Sequence, residues 1–170
     1  AYYKSGKISY ISNYVPKDNV SVPDGESLSY YENGELEAKS FWKMGRRHGK
    51  TILFYENGNT KESGNYIEFK RDSLHLFYYE NGELNEKSFW TMGKRNGKFI
   101  KYYDNGEKKS EYDYKLDEDN FEGNRQTDYN EDGSVKKRWE YSNGEWKEFL
   151  SKEEQERIEK QEEEEQNRIF

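Results

Sequence analysis

Of 170 residues, 37% are charged and only 31% hydrophobic, a composition that excludes a deep central core of aliphatic side chains. Cysteine is absent, which removes disulfides, zinc-thiolate sites and thiol nucleophiles together. Residues 151–170 hold eight Glu against four Lys or Arg, so −4 of the net charge of −7 lies there, and no basic run exceeds "KKR" at 136–138, which argues against a nucleic-acid partner.

The apolar content is mostly aromatic, with 16 Tyr, 9 Phe and 4 Trp, and amphipathic rings suit a thin structure wetted on both sides. No run of 18 apolar residues exists to span a bilayer as a helix. The first residue is Ala rather than Met, which fits a mature chain after signal removal or a trimmed chain. The preferred expectation is an exported location, periplasm or cell surface, with the cytoplasm as the alternative.

The first turn signature is "YKSG" at 3–6, followed by an irregular segment, "YVPKDNVSVPDG" at 14–25, that carries both prolines. The signature then returns as "YENG" at 31–34, 55–58 and 79–82 and as "YDNG" at 103–106, at intervals of 24 residues. It recurs less regularly as "YNEDG" at 129–133 and "YSNG" at 141–144. A second punctuation, Gly25, Gly49, Ser73, Gly97 and Gly123, keeps the same period and reads as a second turn. The stretch "YYENGELEAKSFWKMGRRHGK" at 30–50 reappears at 78–98 with 16 of 21 positions identical.

Between turns, apolar columns are spaced by two, the strand period: Leu28, Ile52, Leu76 and Ile100, then Tyr30, Phe54, Tyr78 and Tyr102, with Gln126 and Asp128 closing them. After the turn, Trp42, Tyr66, Trp90, Tyr114 and Tyr141 form a further column. Asn-Gly favours the two-residue turn of a hairpin. That reading places Tyr31 opposite Leu36 on one face with Trp42 and Met44, whereas a three-residue loop pairs Tyr31 differently.

The expected fold is mainly β: an elongated single antiparallel meander of about six 24-residue hairpins over residues 1–149. Its length is on the order of 60 Å. Residues 150–170 form a separate acidic helix, in which Ser151 and Glu154 make a capping box. Ile158, Ile169 and Phe170 are too few for firm packing, so the helix either covers the last strand's edge, the preferred arrangement, or projects into solvent.

In "FWKMGRRHGK" and "FWTMGKRNGK", an aromatic residue, two residues, Gly, three residues and Gly enclose basic side chains. This resembles the MORN repeat, and the full cycle with "YxNG" is similar to its bacterial variant, over about residues 2–149. Trp42, Gly45 and Gly49 match, as do Trp90, Gly93 and Gly97, while Phe69 and Asp117 stand where Gly45 does. The resemblance implies a rod-like or grooved antiparallel sheet serving as a scaffold or protein-binding module, with phospholipid contact also suggested for the family. The bacterial variant is often labelled an antitoxin component.

His48, in a Gly-flanked turn, and His75, in a strand, read as solvent-exposed residues, and neither has a positioned catalytic partner. The repeated turn carboxylates Glu32, Glu56, Glu80 and Asp104 read as solvated charges, so no enzyme and no cofactor are expected. Asp117, Asp119 and Glu122 form a weak calcium candidate that lacks the usual loop pattern. The partner-binding candidates are Tyr31, Tyr55, Tyr79 and Tyr103 together with Trp42, Tyr66, Trp90 and Tyr114. These rings either pack across strands or grip an extended ligand. A basic margin of Arg46, Arg47, Lys94 and Arg95 faces either solvent or anionic head groups. The expected partner is a protein, with a glycan or anionic lipid as the alternative.

Overall fold

The structure, a computed structural model, describes residues 1–114 and 124–166. Runs of alternating side chains form twelve strands: β1 (Tyr10–Lys17), β2 (Val20–Tyr30), β3 (Leu36–Lys43), β4 (Arg46–Phe54), β5 (Thr60–Ile67), β6 (Lys70–Tyr78), β7 (Leu84–Thr91), β8 (Lys94–Tyr102), β9 (Lys108–Tyr114), β10 (Arg125–Tyr129), β11 (Val135–Ser142) and β12 (Glu145–Glu148). Each pairs antiparallel with its neighbour in chain order, making one open meander, and α1 (Lys152–Gln166) follows it. The mainly β single-sheet architecture expected from the repeat is the one observed.

Each repeat turns twice, and the two turns differ in kind. At one end, the Gly34 N–H donates to the Tyr31 carbonyl at 2.9 Å, and the Tyr31 N–H to the Glu35 carbonyl at 2.8 Å. Asn33 Oδ1 accepts the Glu35 N–H at 2.8 Å, and only Gly34 has positive φ, 100°. This is a three-residue loop, a type I turn closed by a left-handed glycine. It recurs at residues 3–7, 55–59, 79–83, 103–107 and 130–134. At the other end, Asp18-Asn19, Met44-Gly45, Glu68-Phe69, Met92-Gly93 and Asn143-Gly144 make two-residue turns, both residues at positive φ as a type I′ turn requires.

The expected two-residue Asn33-Gly34 turn is therefore corrected. Tyr30, not Tyr31, stands opposite Leu36, and Tyr31 opens the loop. The cause is the Asn33 side chain, which satisfies a loop N–H while its own backbone stays at negative φ. Asn130 occupies the loop-opening place in the last repeat, so Tyr129 falls in the Tyr30 column, opposite Val135. Tyr141, which precedes a two-residue turn, belongs with Trp42 alone.

The second punctuation is also not a turn at its four described positions; Gly123 lies outside the described residues. Gly25, Gly49, Ser73 and Gly97 lie inside β2, β4, β6 and β8 at φ of 95°, 92°, 64° and 77°, each directly opposite a ring: Trp42, Tyr66, Trp90 and Tyr114. They sit at the irregularities that break the pairing register, which kink the strand beneath the ring. His48 accordingly lies in β4 rather than in a turn. Ser73 bears a left-handed backbone that costs a side-chain-bearing residue about 1–2 kcal/mol. Ser73→Gly is expected to stabilise the protein by about 0.5–1 kcal/mol after glycine's extra chain entropy is subtracted, seen as a higher urea midpoint at unchanged slope.

Cross-strand pairing sorts the side chains into two faces. On the inner face Ser27 stands opposite Ser40, Ser40 opposite Thr51 and Thr51 opposite Gly64. His75 packs against Gly64 and pairs with Ser88, which is followed across the sheet by Phe99 and Tyr112. Ser27, Thr51, His75 and Ser88 are only 0–1% exposed although no second layer covers them among the described residues. Long neighbours on the same face close over these short side chains: Trp42 bonds to Ser40, Trp90 to Ser88, and Tyr66, Phe77 and Trp90 surround the His75 ring. The core is therefore a narrow row of hydroxyls, a glycine, an imidazole and rings, and His75, expected in solvent, is at its centre.

The capping box forms as expected: Ser151 N–H and Oγ–H both donate to Glu154 Oε2 at 2.8 Å, and Ser151 Oγ accepts the Glu154 N–H at 3.3 Å. With the Arg138 guanidinium also on Glu154, the carboxyl titrates at about 2. The preferred placement of the helix is corrected. Residues 155–161 and Glu164 are all exposed, with Ile158 37% exposed, so their side chains do not cover the β12 edge. One apolar residue among the described part of the helix is too few to hold it down.

Candidate functional site

The eight aromatic candidates divide into two rows at opposite ends of the strands. Tyr31, Tyr55, Tyr79 and Tyr103 lie at the three-residue loops, where each ring reaches the next hairpin. Their hydroxyls donate to the carbonyls of Phe54, Tyr78, Tyr102 and Tyr129 at 2.7, 2.7, 2.7 and 3.1 Å. Asn33, Asn57 and Asn105 make parallel bonds to the carbonyls of Glu56, Glu80 and Glu131. Burial raises the Tyr31 and Tyr79 hydroxyls above the usual phenol pKa, which keeps them as donors. This row clasps one repeat to the next. Tyr79→Phe is expected to cost about 1 kcal/mol, the net worth of one such bond, measured by thermal unfolding, with no change in strand content by circular dichroism.

Trp42, Tyr66, Trp90 and Tyr114 form the second row, on the inner face. Trp42 and Trp90 each donate their indole N–H to the serine two residues earlier, Ser40 at 2.8 Å and Ser88 at 2.9 Å, which fixes both ring planes. Each of the first three rings stands opposite an arginine: Trp42 opposite Arg47, Tyr66 opposite Arg71, Trp90 opposite Arg95. The Arg47 guanidinium lies 5.6 Å from the Trp42 centroid and 5.1 Å from that of Tyr66. Arg71 lies 5.2 Å from Trp90, and Arg95 sits 5.5 Å from Trp90, 4.3 Å from Phe99 and 5.6 Å from Tyr114. Rings and guanidiniums therefore alternate across the sheet, each cation placed near a π face.

The expected basic margin is divided by the strand period. Arg47 and Arg95 turn inward over the rings, while Arg46 and Lys94 lie on the opposite face, where Arg46 pairs with Glu68 at 2.8 Å. The sequence reading overlooked Arg71. It stands midway between Arg47 and Arg95 at the same 24-residue interval, a signal hidden because its own repeat has lost both glycines of the recognisable pattern.

Arg71 differs from its counterparts in having an anion beside it. Glu62 Oε1 accepts from the Tyr66 hydroxyl at 3.0 Å and from Arg71 at 3.5 Å, and it lies 3.4 Å from His75 Nδ1, a contact too poorly aligned to count as a hydrogen bond. The other imidazole nitrogen, Nε2, donates to the Asn65 carbonyl at 2.8 Å. Burial alone would raise the Glu62 pKa, but His75, Tyr66 and Arg71 together outweigh it and hold the carboxyl below its ordinary value. A depressed folded-state pKa gives stability that is present above the ordinary carboxylate value of 4.5 and lost as pH falls through the folded one. Glu62→Gln is thus expected to flatten the fall in melting temperature below that pH, compared with wild type across an acid titration.

The calcium candidates Asp117, Asp119 and Glu122 lie outside the described residues. Among the described residues no group of three or more His, Asp or Glu is placed to hold a metal, and no helix is long and apolar enough to cross a membrane.

An open meander whose unit is a hairpin, with one ring row clasping repeats and a second lining one face, is the architecture of a β-repeat scaffold. The MORN repeat variant model matches four successive units, residues 23–44, 47–68, 71–91 and 95–116, which together make up just over half of the chain. The protein belongs to the MORN repeat variant family. Each match begins within β2, β4, β6 or β8 and runs through the following strand, so the family's unit is one hairpin of this sheet. No curated protein sequence matches the chain.

Proposed function

We propose that the protein is a non-catalytic repeat module that holds a protein partner along its inner face. The observation that carries this reading is the row of Trp42, Tyr66, Trp90 and Tyr114 interleaved with arginines. Trp42, Trp90 and Tyr114 remain partly exposed, and no second layer lies over them among the described residues. Aromatic residues and arginine are the side chains that dominate the energetics of protein interfaces. The clasp tyrosines, whose hydroxyls are already bonded, contribute rigidity instead.

Affinity capture from the native source tests this reading, with wild type compared with Trp90→Ser and with Phe89→Ser on the opposite face. A protein captured by wild type and Phe89→Ser but lost with Trp90→Ser is the expected result. Equal capture by all three folded proteins would sink the inner-face assignment. A partner of toxin type would show itself by co-expression, tolerated only with the intact inner face.

A second reading rests on the turn tips. Met44, Phe69 and Met92 are 41%, 57% and 46% exposed at successive two-residue turns, flanked by Arg46, Lys70 and Lys94. Apolar tips between basic residues suit an anionic lipid surface. Sedimentation with phosphatidylserine vesicles, lost on replacing all three tips with Ser, would support it, and equal sedimentation of the tip variant would remove it.

A further inference from the structure

Resting on that reading of the inner face, we infer that its occupant is an acidic, extended segment in the polyproline II conformation, with carboxylates spaced to meet Arg47 and Arg95. The argument begins with which charges are already neutralised. Arg71 has Glu62 within 3.5 Å, whereas among the described residues neither Arg47 nor Arg95 has a carboxylate at ion-pair distance. Arg47 Nε is moreover buried and without a hydrogen-bond partner. Among the described residues the Arg95 guanidinium donates only to the Tyr114 hydroxyl, at 3.2 Å. Both guanidiniums lie near rings and are left without a carboxylate, and the planar N–H edge of a guanidinium takes a carboxylate in a fork.

Spacing then selects the ligand's conformation. Equivalent residues of adjacent repeats are two strands apart, about 9.6 Å. Three residues of polyproline II advance about 9.3 Å and return to the same side of the ligand. A β-strand advances about 10 Å in three residues but points the third side chain away. An α-helix needs seven residues, about 10.5 Å, to return to the same side, and its misfit grows with each repeat. Polyproline II alone matches both distance and direction. The ligand lies across the strands, with one residue in three facing the ladder. Carboxylates six residues apart meet Arg47 and Arg95, and a neutral residue between them lies over the Arg71–Glu62 pair. Intervening prolines stack on Trp42 and Trp90, the partly exposed rings of the row and the kind of surface that polyproline II ligands use elsewhere.

Synthetic peptides test this on the full chain, with binding followed through tryptophan fluorescence and calorimetry. The designed peptide repeats Glu-Pro-Pro-Gln-Pro-Pro, which places a Glu every six residues. The controls are a peptide of the same composition with its Glu residues adjacent, one with Gln for Glu, and a helical peptide with Glu at every fourteenth residue. The in-register peptide is expected to bind at least tenfold more tightly than any control. Arg47→Gln and Arg95→Gln, checked for intact strand content, should each remove most of that difference, and Arg47→Lys should restore only part. Equal binding of the register-shifted peptide would overturn the spacing argument, preference for the helical peptide would overturn the conformation, and no binding by any of them would overturn both. Capture of a native protein through the inner face is a separate result, so the broader reading can stand while this inference fails.

Discussion

Gly64→Ala is expected to destabilise the protein by about 3 kcal/mol, the upper part of the range for overpacking a closed core. A Cβ at this position falls 2.2 Å from both His75 Cε1 and Nδ1, closer than such contacts permit. The ring has nowhere to move, because His75 is fully buried with Nε2 on the Asn65 carbonyl, and Tyr66 and Trp90 meet it edge-on at 5.1 and 6.4 Å. Gly64 does not have positive φ, so its backbone is open to any residue, and on chain entropy alone alanine would be favoured by about 0.5–1 kcal/mol. The sign of the change therefore separates steric from conformational explanations. One repeat earlier, Ser40 and Thr51 occupy the corresponding places. Gly64→Ser combined with His75→Thr rebuilds that pair and is expected to recover most of the loss that Gly64→Ser causes alone. Urea unfolding of the four proteins checks this, and a double variant no better than the single one would refute the packing account.

Phe99→Ala is expected to cost about 3–4 kcal/mol, in the range for deleting a buried aromatic ring. Phe99 is 3% exposed, meets Tyr112 at 5.4 Å and Tyr114 at 6.2 Å edge-on, and provides the ring nearest the Arg95 guanidinium. Phe89, on the opposite face and 40% exposed, is the matched control, expected to lose less than about 1 kcal/mol on the same change. Because contacts in a repeat array run only between neighbours, the damage should be local. Hydrogen exchange should accelerate first across β7, β8 and β9, with β3 to β5 still protected. Uniform acceleration along the sheet would show instead that the array unfolds as one unit.

The fold was readable because a 24-residue interval with period-two columns admits few structures. The capping box was readable because its chemistry is local. What escaped was register. The Asn-Gly pairs invited a two-residue turn, yet the asparagine side chain caps the loop and leaves glycine alone in the left-handed region. That shift of one residue moved Tyr31 from the sheet face to the clasp. The buried row escaped for another reason. Ser27, Thr51, Gly64 and His75 do not look like a core, and only the long side chains that close over them make one of them. The guanidinium row was half seen, since Arg47 and Arg95 stood in well-kept repeats and Arg71 in a degraded one.

The tyrosine clasps set how this protein should answer to force. Pulled along its long axis, a bare meander peels one strand at a time, each rupture breaking a few backbone bonds. Here each clasp ties a loop to the end of the hairpin beyond it, Tyr55 to Tyr78 and Tyr79 to Tyr102, so a strand cannot peel until the hydroxyl bond ahead of it has parted. The unit of extension becomes the 24-residue hairpin, releasing about 80 Å of chain per event. A train of equal steps, with the clasp tyrosines deciding their height, makes the chain a graduated tether rather than a rigid strut.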